Sequence, residues 1–123
     1  MTKRILIIED QEDNRAIMRD LLSTAGYALI EAVDGEEGVK LARSERPDLI
    51  LMDIQLPVLD GYEATRRIRA IADLKSVPII AVTSYALSGD EAKTRAAGCD
   101  SYVAKPFSPR ELLAKVRALL ANG

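Results

Sequence analysis

Short, mostly apolar runs alternate along the chain with longer stretches whose apolar residues recur at helical spacing. The five runs are Ile5–Ile8, Ala28–Ala32, Leu49–Met52, Val77–Val82 and Ser101–Ala104. Such a run is typical of a strand buried on both faces, as in a parallel sheet. Strict alternation of strands and helices predicts an α/β fold with helices on both faces of the sheet. Right-handed crossovers leave few topologies, and we expect the flavodoxin-like (βα)5 fold with strand order 2-1-3-4-5.

The boundaries of the helices are marked by capping signals. Four predicted helices start with a capping residue that is followed three positions later by glutamate, at Asp34, Asp60, Ser88 and Ser108. This spacing is typical of a helix N-terminus, because the cap accepts a hydrogen bond from a free backbone amide of the first turn. Gly26 and Gly98 follow apolar periodic stretches and predict helix ends.

Composition narrows the class of protein. The 123 residues fit one domain, and a net charge of −2 provides no basic field for nucleic acid or anionic lipid. The only cysteine, Cys99, excludes an internal disulfide and favours a reducing, cytoplasmic location, where we expect it to pack as a small apolar residue. No apolar stretch approaches the roughly 20 residues of a membrane span. Histidine is absent, which excludes imidazole catalysis and a phosphohistidine carried on this chain.

Acidic residues follow two strands that the expected topology makes neighbours. Glu9 and Asp10 come directly after the first strand, and Asp53 ends the third. Three carboxylates at one sheet edge repel each other unless a cation neutralises them, and an all-oxygen cluster suits Mg²⁺. The alternative is that Asp53 only ends its strand, while Glu9 and Asp10 are acids favoured near a helix N-terminus.

The fourth and fifth strands bring a hydroxyl and an ammonium group to the same edge. Thr83 follows the fourth strand and Lys105 follows the fifth. Separately, these residues are compatible with a turn cap and a solvated lysine. Together with the acids they form an inventory for phosphoryl transfer: a nucleophilic carboxylate, a metal site, a hydroxyl donor and a cation.

The motifs around these residues resemble the receiver domain of two-component response regulators, over essentially the whole chain. They are Glu9-Asp10, Asp53 to Pro57 with Asp60-Gly61, Thr83-Ser84, and Tyr102 to Phe107. The chain is similar to short single-domain regulators of the chemotaxis and cell-division types, and the latter also carry a Glu-Asp pair. Many relatives have aspartate where this chain has Glu9, whose longer side chain still reaches a metal-bound water.

The resemblance implies roles around the acceptor. Asp53 would accept the phosphoryl group, and Mg²⁺ would be bound by Asp10, Asp53 and the backbone carbonyl of Gln55, with Glu9 acting through water. Gln55 and Tyr85 would flank the acceptor and tune the lifetime of the aspartyl phosphate.

Further roles are implied on the fourth and fifth strands. Thr83 and Lys105 would hold phosphoryl oxygens, and the Lys105–Pro106 peptide bond would be cis. Tyr102 would change position with Thr83 and so report the phosphorylation state.

The resemblance also implies partners. The donor would be a phosphohistidine on a histidine kinase or a histidine phosphotransfer protein, and Asn14, Ile17 and Phe107 are the predicted docking contacts. The output would be a surface of helix four, strand five and helix five that binds a downstream protein. We expect no binding of nucleic acid or membrane, and a monomer or weak dimer.

We expect residues 1–123 to form one receiver domain without an output domain, because the Met1 start and short ends favour a whole protein. It would catalyse its own phosphorylation and slow dephosphorylation without acting on a separate substrate. A receiver domain cut from a hybrid histidine kinase or a longer regulator is the alternative.

Three other functions compete with this interpretation. A haloacid-dehalogenase-type Mg²⁺ phosphohydrolase needs a second aspartate where this chain has Gln55. A flavodoxin-like cofactor carrier would place a phosphate against the acids after strand one, and no G-x-G-x-x-G sequence is present. A degenerate receiver that is never phosphorylated would not need all five key positions filled.

Overall fold

The five predicted strands and five predicted helices are all present in the computed structural model, which describes residues 2–84 and 90–121. In chain order the elements are β1 (Arg4–Ile8), α1 (Glu12–Thr24), β2 (Ala28–Ala32), α2 (Gly35–Glu45), β3 (Leu49–Asp53), α3 (Gly61–Arg69), a 3-10 turn (Ala72–Leu74), β4 (Ile79–Thr83), α4 (Asp90–Ala97), β5 (Ser101–Ala104) and α5 (Pro109–Ala121).

The strands form one parallel sheet in the order β2-β1-β3-β4-β5, which confirms the predicted flavodoxin-like topology. In its register, Ile8 of β1 pairs with Met52 of β3, and Asp53 pairs with Val82 of β4. The carboxyl ends of the strands therefore meet at one edge.

The ends of two strands place side chains in the site. Asp53 is the last residue of β3, as predicted, and Thr83, expected just after the Val77–Val82 run, is the last residue of β4. β4 begins at Ile79 rather than Val77, since the intervening Pro78 has no N–H to donate to a neighbouring strand. Asp53 and Thr83 thus belong to the sheet, which fixes their backbone.

The predicted caps account for three helix starts. The side chains of Asp34, Asp60 and Ser108 accept hydrogen bonds from the amide three positions on, at 2.8, 2.9 and 3.3 Å respectively. Ser88, the predicted cap of α4, lies outside the described residues. Gly26 and Gly98 take the left-handed backbone that ends a helix, with φ of 97° and 116°.

The apolar core has one layer on each face of the sheet. Alternate residues of the central strands, such as Ile7 and Leu51, point toward Met18 and Leu22 of α1 and toward α5. The other alternate set packs with residues of α2 and α3, and Cys99 is buried in this layer as expected. No helix within the described ranges is long and apolar enough to cross a bilayer.

The loop after β3 contains a strained turn. Val58 has φ of 71°, and the Leu59 amide donates to the Pro57 carbonyl at 2.7 Å across it. Positive φ is unfavourable for a β-branched residue, whose Cβ approaches the backbone. The side chain gains little burial in return, because Val58 is 76% exposed.

We predict that Val58→Asn raises the free energy of unfolding by about 1 kcal/mol, because asparagine tolerates positive φ. Urea denaturation would measure the change. Val58→Thr is the matched control, since threonine is polar but still β-branched, and it should bring no gain. An equal gain from both substitutions would assign the effect to surface polarity and contradict strain.

Candidate functional site

Four strands bring side chains to the carboxyl edge of the sheet, where backbone hydrogen bonds continue past the strand ends. The Glu9 amide donates to the Ala32 carbonyl at 3.0 Å, and the Lys105 amide donates to the Thr83 carbonyl at 2.7 Å. Gly61 lets the start of α3 approach Asp53 closely, because a Cβ at position 61 would lie 2.4 Å from the Asp53 carbonyl oxygen. The local backbone therefore holds the edge in place.

The three predicted acids converge. One carboxylate oxygen each from Glu9, Asp10 and Asp53 lies within 4.8 Å of the other two. Glu9 is fully buried, Asp53 is 2% exposed and Asp10 is half-buried. A cluster of carboxylate oxygens with one member open to solvent fits a hard, partly hydrated cation such as Mg²⁺.

Lys105 enters the same cluster. Its Nζ lies 2.9 Å from Glu9 Oε1 and 3.2 Å from Asp53 Oδ2. Burial alone would lower the pKa of Lys105, but the hydrogen bond to Glu9 and the charges of Asp53 and Glu9 raise it above its usual value. Lys105 is therefore held as an ammonium ion at the centre of the site.

The Asp53 carboxyl has an unusually high pKa for an aspartate. Burial, followed by the charge of Glu9, raises its pKa from 3.8 to about 7, while Lys105 acts in the opposite direction. Its Oδ1 accepts a hydrogen bond from the Gln55 amide at 3.1 Å. Since one ammonium does not balance the clustered acids, the arrangement favours binding of a further cation.

The side chain of Gln55 links the loop after β3 to the end of β4, a contact the sequence pattern did not reveal. Its Nε2 donates to Thr83 Oγ1 at 3.1 Å, and the Ser84 amide donates to its Oε1 at 3.2 Å. Because a backbone amide can only donate, this second bond fixes which end of the Gln55 amide faces Thr83. Tyr85, the other residue expected beside the acceptor, lies outside the described residues.

Tyr102 connects β5 to the helices on either side of it. The charge of Glu91 on α4, then burial and a hydrogen bond to that carboxylate, raise the pKa of the Tyr102 hydroxyl. Lys115 on α5 lies over the ring, with Nζ 5.5 Å from its centroid, and donates to the Tyr102 carbonyl at 2.6 Å. Tyr102, itself on β5, thus interacts with residues of both helices of the predicted output surface. The Lys105–Pro106 peptide bond that follows β5 is cis.

The three predicted docking residues line a single cavity of about 410 Å³ beside the acids. Its lining residues are Asn14, Ile17, Ser84, Lys105, Pro106, Phe107 and Pro109. Ile17 is 49% exposed. A second cavity of about 380 Å³ contains Asp10 and Asp53, and Asn14, Ser84 and Lys105 line both. The groove and the acid cluster are therefore continuous.

Comparison with known proteins decides the family. The model of the response regulator receiver domain matches residues 5–117. The chain belongs to this family. This confirms the resemblance, and it makes the chain a signalling domain of the two-component type.

The relatives of this receiver domain include close matches along its whole length. The polar-differentiation response regulator DivK of Brucella ovis and that of Brucella abortus are each 42% identical, over 99% of this chain and 99% of theirs.

Two solved structures illustrate the range of the fold. The receiver domain of the sensor histidine kinase PA1611 from Pseudomonas aeruginosa, with a magnesium ion coordinated in its active-site cleft, is 41% identical with a TM-score of 0.92, covering 98% of this chain and 99% of that one. The chemotaxis protein CheY4 of Vibrio cholerae is 28% identical with the same TM-score, covering 98% of this chain and 100% of that one.

The raised pKa of Asp53 predicts a pH dependence of stability in metal-free protein. The native state keeps a proton on Asp53 up to about pH 7, whereas the unfolded chain releases it near pH 4. Between these values the native state binds more protons, so the free energy of unfolding falls as the pH rises. We expect Asp53→Asn to remove this part of the fall, which amounts to a few kcal/mol at about 1.4 kcal/mol per pKa unit.

Urea denaturation of wild type and Asp53→Asn across this pH range, with chelator present, measures the difference. Asp53→Asn should become progressively more stable than wild type as the pH rises. Parallel pH profiles for the two proteins would contradict the raised pKa.

Proposed function

We propose that this receiver accepts a phosphoryl group onto Asp53 from a phosphohistidine on a partner protein, with Mg²⁺ in the site, and then signals by protein contact. One observation carries the proposal: carboxylate oxygens of Glu9, Asp10 and Asp53 lie within 4.8 Å of one another beside a cavity, and the Lys105 ammonium pairs with Glu9 and Asp53. Because residues 1–123 contain no histidine, a phosphohistidine donor must lie outside this sequence.

In the proposed transfer, Asp53 is the nucleophile. A carboxylate oxygen forms a bond to phosphorus as the bond from phosphorus to the imidazole nitrogen breaks, and the nitrogen keeps the electron pair. The Gln55 amide holds Oδ1, and Lys105 neutralises Oδ2, so that the carboxylate is oriented before the donor arrives.

The acid cluster supplies the metal ligands. Asp10, Asp53 and the backbone carbonyl of Gln55 would hold Mg²⁺, and Glu9 would act through water, since Glu9 already pairs with Lys105. When bound, Mg²⁺ offsets the negative charge that the acids and the phosphoryl oxygens bring together.

The switch is proposed to run from Thr83 to the α4–β5–α5 surface. Thr83 and Lys105 hold phosphoryl oxygens, and a shift of Thr83 alters the space available to Tyr102. The contacts of Tyr102 with Glu91 and Lys115 support this route, because they tie its position to both helices. Phosphorylation then biases that surface between two populations.

Signalling as a single domain is supported by the DivK relatives, which match this chain over 99% of their own length. We place the protein in the cytoplasm as a monomer or weak dimer that catalyses only its own phosphorylation and dephosphorylation. A receiver within a hybrid histidine kinase is the second candidate, favoured by the similarity to the PA1611 receiver domain. The two candidates share the site chemistry and differ in whether the kinase belongs to the same polypeptide.

Incubation with Mg²⁺ and acetyl phosphate tests the acceptor directly. Wild type should gain one phosphoryl group by intact mass spectrometry, and Asp53→Asn should gain none, because an amide cannot form the acyl phosphate. Asp48→Asn is the matched control, since Asp48 lies at the opposite end of the same strand segment, bonded to the Arg4 amide. It should be labelled like wild type, and equal labelling of Asp53→Asn would refute the acceptor assignment.

The docking groove is tested separately from the chemistry. Ile17→Glu should slow transfer from a phosphorylated histidine phosphotransfer protein about 10-fold or more, because it places a charge in an apolar contact. Labelling by acetyl phosphate should be unchanged. Val33→Glu is the control, since Val33 is similarly exposed at 46% but does not line the groove. Equal slowing by both substitutions would contradict this docking site.

A further inference from the structure

Arg15 lies directly behind the acidic pair, although nothing in the sequence pattern marks it. Its Nη1 donates to the Glu9 carbonyl oxygen at 2.8 Å. The rest of the guanidinium pairs with Glu12 on the same helix and with Glu31 on β2, where Nε is 3.4 Å from Oε1. The Arg15 side chain is only 12% exposed. A charged group is rarely held at this depth without several partners.

The carbonyl that Arg15 binds belongs to the peptide that joins Glu9 to Asp10. On its other side, Glu9 is held to the sheet by its amide, which donates to Ala32. The strand ends at Ile8, so the following carbonyl lies beyond the regular ladder. Fixing both ends of Glu9 fixes the plane of the Glu9–Asp10 peptide and with it the position of the Asp10 Cα, from which the side chain extends.

The positive charge of Arg15 is balanced by two glutamates. Its effect on the geometry of the acid cluster can therefore be separated from its effect on the electrostatic field there. Glu12 and Glu31 face the guanidinium, and Glu31 also pairs with Arg19, whose Nε is 2.8 Å from Oε2. Removing Arg15 therefore releases the Glu9 carbonyl and the segment that follows it. We expect this release to matter more than the change in the electrostatic field at the acid cluster.

We infer that Arg15 is a positioning residue for the metal site, holding the Glu9–Asp10 peptide so that the Asp10 carboxylate meets the other two acids. The inference rests on the Mg²⁺ site of the proposed function. Groups that orient metal ligands from behind typically change metal affinity by about 10- to 100-fold when they are removed. A loss of this size is expected for Arg15.

Arg19 provides a matched control one turn further along α1. Its guanidinium donates to Glu31 at 2.8 and 2.9 Å and to Glu12 at 3.2 Å, the same two acids that pair with Arg15. The hydrogen bond to the Glu9 carbonyl, however, comes from Arg15. Arg15→Met and Arg19→Met thus each remove a positive charge beside the same two acids, and Arg15→Met also removes the hydrogen bond to the Glu9 carbonyl. Arg19 is the more exposed of the two, at 38% against 12%.

The experiment is a Mg²⁺ titration of wild type, Arg15→Met and Arg19→Met. Binding is monitored in amide NMR spectra of isotopically labelled protein. Arg15→Met should bind Mg²⁺ about 10-fold more weakly or worse, whereas Arg19→Met should stay close to wild type. In the metal-free spectra, the Asp10 and Gln11 amides should move only in Arg15→Met. Gln11 is a sensitive probe, because its amide donates to Glu9 Oε2 at 3.1 Å.

Arg15→Lys keeps the test decisive if Arg15→Met does not fold. Lysine retains the charge but not the planar fork of donors, so Mg²⁺ affinity should fall to an intermediate value. Unchanged affinity in Arg15→Met, or equal losses in Arg15→Met and Arg19→Met, would overturn the positioning role alone. Absence of saturable Mg²⁺ binding by wild type would overturn the metal site of the proposed function together with this inference.

Discussion

The burial of Glu9 and Asp53 beside each other is the constraint on which the rest of the site depends. Two carboxylates removed from water repel each other unless protons or cations intervene. Lys105 lies against both, at 2.9 and 3.2 Å, yet Asp53 still holds its proton up to about pH 7. The fold therefore loses part of its stability by keeping Asp53 buried beside Glu9. A divalent cation relieves the repulsion, and this links metal binding to reactivity.

The parallel sheet makes this concentration of charge possible. The central strands β1, β3 and β4 are buried on both faces, so their acidic and hydroxyl side chains lie at the ends, and a common direction brings those ends to one edge. The register then sets distances: Asp53 pairs with Val82, and Thr83 pairs with Ala104. The site is consequently as rigid as the backbone ladder that supports it, although its members come from distant parts of the sequence.

The elements and the inventory of the site could be predicted from the sequence, because strand ends and caps are local signals. Asp53, Thr83 and Lys105 each follow an apolar run. In a parallel sheet, these positions all lie at the same edge. The bridge from Gln55 to Thr83 could not be predicted, since it depends on two side-chain conformations across 28 positions. The bond from Arg15 to the Glu9 carbonyl was missed because backbone acceptors have no sequence signature. Valine at position 58 likewise conceals its positive φ, which a glycine would have suggested.

The two cavities share lining residues, and this affects the order in which partners can bind. Asn14, Ser84 and Lys105 line both the docking groove and the space around Asp53. A protein that docked in the groove as proposed would therefore narrow the path by which water reaches Asp53. If the donor docks in this groove as proposed, it would have to dissociate before a second protein could bind there. The proposed α4–β5–α5 surface borders the same groove at Pro109, the first residue of α5.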